Sequence, residues 1–279
     1  MRTEKELTEM AKRMRIKSLK LAFASGKLGA HLGGALSCIE ILAVLYGAVA
    51  RIDSSRPEWE DRDRILMGKA HCVLAYDAAL YEMGFLTEEE LNSFQKNGSF
   101  LVGHPQKDIK KGMEYAGGSL GMALSVGAGM ALLAKKQGSR RRIYVLLGDG
   151  ECNEGSVWES MMFAAKYKLD NLVVIVDKNH LQSDGATLEI SGTENLGEKI
   201  TAFGWNVTSV DGHNTGELLK SFQSLASDRP NAIIADTIKG KGVSFMEQEA
   251  SWHHGELKEE LYLKAIAEVE SEGTKICRK

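Results

Sequence analysis

Two aliphatic runs each end abruptly in a side chain that can bind a hard cation. Ile143-Tyr144-Val145-Leu146-Leu147 stops at Gly148-Asp149-Gly150-Glu151, and Leu172-Val173-Val174-Ile175-Val176 stops at Asp177-Lys178-Asn179. An Asp carboxylate, an Asn amide oxygen and a nearby backbone carbonyl are hard oxygen donors, suited to Mg²⁺ or Ca²⁺ and not to zinc. Mg²⁺ rarely takes an all-protein cage and completes its shell with substrate phosphates. Gly150 lets a backbone N–H approach a phosphate with no Cβ in the way. These residues read as a Mg²⁺-diphosphate site, although Gly-Asp-Gly after an apolar strand also fits an ordinary strand-to-helix turn.

Unalternating aliphatic runs of this length suit strands buried on both faces of a parallel sheet. Between them, residues 158–167 read as a helix with Trp158, Met161, Met162 and Ala165 on one face. In such a βαβ unit ligands lie outside the carboxyl ends of the strands. Asp149 and Asn179, 30 residues apart, are therefore expected side by side. The surrounding pattern predicts helices over 7–24, 41–49 (capped by Ser37), 72–83, 122–134, 218–226 and 257–269, with strands over 65–67, 205–210 and 231–237. Thr87 followed by Glu88-Glu89-Glu90 is a capped helix start. The fold class is α/β: one doubly wound, mostly parallel sheet with helices on both faces.

At 279 residues and 26% charged, the chain can bury a single large core. A net charge of −3 argues against nucleic acid or an anionic membrane as partner. The basic run 139–142 reads as a solvated turn. Cys38, Cys72, Cys152 and Cys277 show no Cys-x-x-Cys spacing, which points to reduced thiols in a cytosolic protein. The acids in Thr3-Glu4-Lys5-Glu6 exclude a signal peptide, and the low-polarity stretch 122–134 is too short to span a bilayer. Zinc fails for want of Cys/His pairs at ligand spacing, and a Ser-His-Asp hydrolase for want of a Gly-x-Ser-x-Gly elbow.

Gly148-Asp149-Gly150 followed by Asn179 resembles the motif shared by thiamine diphosphate enzymes. The filling is narrower: Gly148 through Gly155, Val157-Trp158-Glu159, residues 167–172 and Leu181-Gln182-Ser183-Asp184-Gly185 resemble the transketolase family. That resemblance implies a thiamine diphosphate-binding fold, with Mg²⁺ (or Ca²⁺ or Mn²⁺ in its place) held by Asp149, Asn179 and the Leu181 carbonyl. Gly150 and Glu151 would sit at the diphosphate, and Gly118, Ser119 and Leu120 along the cofactor's rings. Glu154 matches the family's acid at the dimer interface, where it links two cofactors.

Four histidines, each a bland loop residue taken alone, acquire roles from the same resemblance. His71 in Gly68-Lys69-Ala70-His71 and His253 after Trp252 match residues on the diphosphate; His31 and His104 match residues on the sugar hydroxyls near the reacting carbon. The match is not complete. Ala30 and Leu32 replace the family's Gly and Pro neighbours of that first His, Ala70 replaces a Gly, Met122 a Gln, and Ser183 an aliphatic residue. These departures raise the expectation of an atypical ketose, such as a branched or sulfonated sugar. His254 is expected to face solvent, and Asp211-Gly212-His213-Asn214 departs from the family's Asp-Gly-His-Asp.

The resemblance covers nearly all of residues 1–279 as one diphosphate-binding domain, but only the first half of a full-length transketolase. The pyrimidine-binding and C-terminal domains are expected on a separate chain, in an α2β2 complex that passes a two-carbon ketol unit from a ketose, phosphorylated or related, to an aldose. Other readings are a different thiamine diphosphate enzyme, such as a 2-oxoacid decarboxylating subunit, or a non-catalytic cofactor-binding partner.

Overall fold

Strands β1 (Arg64–Met67), β2 (Ile143–Gly148), β3 (Leu172–Lys178), β4 (Asn206–Asp211) and β5 (Asn231–Asp236) lie side by side, all parallel, in the order β1-β2-β3-β5-β4. The computed structural model describes residues 2–192 and 195–276; Cys277 lies outside them. Alternation along the two central strands explains their unbroken aliphatic composition. Tyr144, Leu146, Val173 and Ile175 face one apolar layer, while Ile143, Val145, Leu147, Leu172, Val174 and Val176 face the other. Each such fully buried side chain contributes about 1.5–3 kcal/mol.

The first layer is built from helices Glu4–Ala24, Ile39–Val44, Val73–Glu82, Thr215–Gln223 and Glu259–Ile276, the second from Ala123–Lys136, Gly155–Lys166 and Leu196–Ala202. This is the expected doubly wound sheet. Register then delivers the site: Gly148 pairs with Asp177, so the residues that follow both strands emerge at one edge.

Several local expectations are corrected. Ser37 does not cap a helix over 41–49; its hydroxyl donates to Asp177 Oδ2 at 2.6 Å, and the segment breaks into Gly33–Leu36, Ile39–Val44 and a π-helical turn, Leu45–Val49. Long-range pairing with a buried carboxylate outweighed the local cap. In the basic run, Arg141 is buried and donates to the Glu60 carbonyl at 3.0 Å, so that turn is only partly solvated. The last helix packs partly inward: Ala265 and Val269 enter the core, and Tyr262 stacks on Phe23 with ring centroids 4.4 Å apart. Asn214, the departure from the family's Asp, accepts the Gly216 and Glu217 N–H groups at 3.0 Å as a helix N-cap. Among the described residues, no helix is long and apolar enough to cross a membrane.

Candidate active site

A cleft of about 330 Å³ opens at the carboxyl ends of β1, β2, β3 and β5. Its lining includes Asp149, Gly150, Glu151, Glu154, Asn179 and Leu181 from the central unit, and His31, His71, His104 and His253 from four separate loops. Gly118 and Leu120 also line it, whereas Ser119 between them is exposed and outside the lining. A wider groove of about 660 Å³ beside the helix Leu196–Ala202 holds none of these residues.

The two strand ends are tied directly together. Asp149 Oδ2 accepts the His180 N–H at 2.7 Å, and its Oδ1 accepts the Gly150 N–H at 2.9 Å. The Gly150 N–H is thus engaged by Asp149. Asn179 Oδ1 accepts the Leu181 N–H at 3.2 Å, and its amide nitrogen donates to Asp177 Oδ2 at 3.3 Å. Burial, and then the Asp177 charge, raises the Asp149 carboxyl above its usual range. A nearby cation would reverse that penalty.

The histidines cluster around His31. His31 lies 5.4 Å, centroid to centroid, from each of His71, His104 and His253, and His71 is 5.1 Å from His253. His254 is exposed as expected, yet its ring reaches within 4.5 Å of His31. Burial, followed by neighbouring histidines, lowers His31 to about 3; burial, then Lys239, lowers His253 to about 4. His71 is pushed well down by burial and by Lys69. All three rings are neutral near neutral pH, so each offers one N–H donor and one acceptor.

Two buried lysines, Lys69 and Lys239, have roles that no local pattern announces. Lys69 pairs with Asp177; burial opposes both charges, but each partner outweighs it, holding the lysine above and the aspartate below its usual range. Ser37 and Thr237 hydroxyls also donate to Asp177. Lys239 Nζ donates to the Leu181 and Gln182 carbonyls at 3.2 and 2.8 Å and lies 3.1 Å from His253 Nδ1. Burial, then the Lys69 charge, lowers Lys239 to about 8. Glu151 accepts the Gly121 and Gly148 N–H groups at 2.9 and 3.2 Å, yet burial raises it to about 7. Nothing in the sequence distinguishes the two lysines from solvated charges, because Asp177 lies 108 residues from Lys69, and the Leu181 and Gln182 carbonyls 58 and 57 residues from Lys239.

The departures from the family pattern divide. Ala30, Leu32 and Ala70 are buried and outside the cleft lining; Met122 is 48% exposed and outside it too. Ser183 alone of the five lines the cleft. Ala70 has no positive φ, so its Cβ is unstrained; it occupies the space beside Gly117, where an added Cβ would lie 2.3 Å from it.

Two features bear on a diphosphate and its metal. The donor set is hard oxygen with a single carboxylate, and among the described residues no cluster of three or more His, Cys, Asp or Glu could hold a metal unaided. That suits a cation completed by phosphate oxygens and water. The buried Asn153 Oδ1 in the cleft wall has no hydrogen-bond partner, and Gly118 has open space where a side chain would stand. The residues present therefore fit the group.

A family profile, that of the transketolase thiamine diphosphate binding domain, matches residues 8–268. One of the subunits of the apulose-4-phosphate transketolase of Phocaeicola vulgatus is 42% identical over 241 residues, 86% of this chain and 85% of that protein. The 6-deoxy-6-sulfo-D-fructose transketolase subunit SqwG of Clostridium sp. is 41% identical over 251 residues, covering 89% of this chain and 91% of that one. Among solved structures, the transketolase from Leishmania mexicana superposes with a TM-score of 0.88 at 28% identity, covering 95% of this chain but 41% of that one.

Proposed function

Because this chain belongs to the transketolase family, through its thiamine diphosphate binding domain, we propose that it is the cofactor-gripping subunit of a transketolase assembled from two different chains. The observation that carries this is the cleft itself: hard oxygen donors at two adjacent strand ends face a cluster of four histidines. The two-chain arrangement is supported by relatives named as subunits, which this chain matches over 85% and 91% of their length, against 41% of a solved transketolase.

Thiamine diphosphate, when bound, supplies the electron sink for breaking a ketose carbon–carbon bond. This chain's part is to bind and orient. Asp149, Asn179 Oδ1 and the Leu181 carbonyl would hold Mg²⁺; His71, His253, Gly150 and Glu151 would surround the diphosphate; Gly118 and Leu120, which line the cleft, would lie along the rings. His31, uncharged, and His104 exchange hydrogen bonds with sugar hydroxyls. Glu154 stands at the contact with the second half of the assembly. The pyrimidine-binding domain comes on the partner chain, in an α2β2 complex.

The test is co-purification of the tagged chain from its source with thiamine diphosphate and Mg²⁺, assayed for ketol transfer. A second chain of comparable size and transfer by the pair is the expected outcome; recovery alone and inert, with cofactor bound, would favour a non-catalytic binding module. An atypical ketose is the second reading. It is supported by relatives whose names specify apulose-4-phosphate and a sulfonated fructose, and by Ser183 in the lining. A panel of branched, sulfonated and ordinary pentose phosphates decides it: preference for the ordinary sugars removes this reading.

A further inference from the structure

Outside the cleft, three side chains from distant parts of the chain form one line of hydrogen bonds. Arg15 Nη2, on the helix Glu4–Ala24, donates to Glu40 Oε1 at 2.6 Å. His213, in the turn after β4, meets Glu40 Oε2 through Nδ1 at 3.0 Å. The two outer members also grip one short backbone segment. The Ile238 N–H donates to His213 Nε2 at 2.8 Å, and Arg15 Nε donates to the Lys241 carbonyl at 2.9 Å. Of the four bracketed residues, only Lys239 lines the cleft.

The hydrogen bonds fix the proton on His213. A backbone N–H can only donate, so Nε2 must accept, and the ring's one proton sits on Nδ1 facing Glu40. Glu40 remains a carboxylate: burial opposes its charge, but Arg15 and His213 outweigh it and hold it at about 2. The bracketed backbone is itself constrained. Gly240 has φ +80°, and a Cβ there would lie 2.2 Å from the Met246 carbonyl oxygen, so no other residue fits without displacement.

We propose that Arg15, Glu40 and His213 are positioning residues, a clamp on both ends of 238–241 that sets Lys239 across the loops bearing Leu181 and His253. What the clamp serves, a diphosphate, rests on the reading of the cleft given above; the clamp does not.

Two variants of His213 separate its contacts. His213→Gln puts an amide oxygen where Nε2 stands and keeps the Ile238 grip; His213→Asn reaches only the Glu40 side and leaves the Ile238 N–H without a partner. In the full chain, hydrogen exchange reports Ile238, and mass-spectrometric labelling by an amine-acylating reagent reports Lys239, which is only 1% exposed. With Asn, both rates should rise about tenfold, the scale of one lost hydrogen bond, and with Gln both should stay within about threefold. Unchanged Lys239 labelling in the Asn variant overturns the proposal, even if Ile238 exchange rises, because the grip would then hold backbone without setting the lysine. A separate check is calorimetry with thiamine diphosphate and Mg²⁺ on the chain assembled with its partner. A wild-type complex that binds no cofactor sinks the diphosphate reading, while the labelling result still judges the clamp.

Discussion

Lys69 and Asp177 form an ion pair closed to solvent at the cleft wall, Nζ against Oδ2, with side chains 1% and 0% exposed. Removing one partner of such a pair strands the other charge in the interior. Lys69→Met leaves the Asp177 carboxylate with only its neutral donors, and is expected to cost about 3–5 kcal/mol of folding stability. Urea unfolding measures it; a midpoint equal to wild type would mean that the carboxylate takes up a proton and tolerates the loss.

Asp149→Asn keeps an oxygen for the His180 N–H but removes the negative charge offered to a divalent ion. Thiamine diphosphate affinity in the presence of Mg²⁺ should fall about 10- to 100-fold, the scale of one charged contact. Titrating Mg²⁺ at fixed cofactor reads this directly. A variant with the same Mg²⁺ dependence as wild type removes Asp149 from the metal.

Acid should destabilise the domain through the histidines clustered around His31. In the unfolded chain imidazoles take protons near about pH 6.5. In the fold, His31 resists protonation down to about 3 and His253 down to about 4. The unfolded state therefore binds more protons across this window, and stability declines as pH falls through it. The double variant His31→Gln, His253→Gln should show a flatter decline between about pH 7 and pH 5. Parallel curves for variant and wild type would contradict the assignment.

Gly117 and Ala70 are a matched pair, since a Cβ on Gly117 would lie 2.3 Å from the Ala70 Cβ. Gly117→Ala alone should cost about 1–3 kcal/mol by overpacking. Adding Ala70→Gly removes the collision and should recover most of the loss. Additive costs in the double variant would show that the two sites do not compete for the same space.

What could be read from the sequence was local. The strand ends at Asp149 and Asn179 announce themselves because an apolar run stops at a polar residue, and the capped start at Thr87 lies within three residues of its partner Glu90. What could not be read was long-range. Ser37 resembles a helix cap until Asp177 arrives from 140 residues away, and Lys69 looks solvated until the same carboxylate, 108 residues on, buries it. The four histidines were joined by family resemblance, because no local pattern brings those loops together. His213 carries no local signal of its role; its partners Glu40 and Ile238 lie 173 and 25 residues away, and only the folded chain joins them.

The order β1-β2-β3-β5-β4 also governs when the cleft comes into being. Pairing β1 with β2 must close a loop holding the His104 segment and the whole helix Ala123–Lys136, and β4 reaches its edge only when β5 enters beside β3. Such non-local parallel pairings form slowly. No partial fold contains the cleft, so a nucleotide-sized ligand can engage only chains that have finished folding, and it protects them by mass action. A newly made chain starved of that ligand spends longer in protease-sensitive openings, which ties the lifetime of the polypeptide to the supply of the molecule it grips.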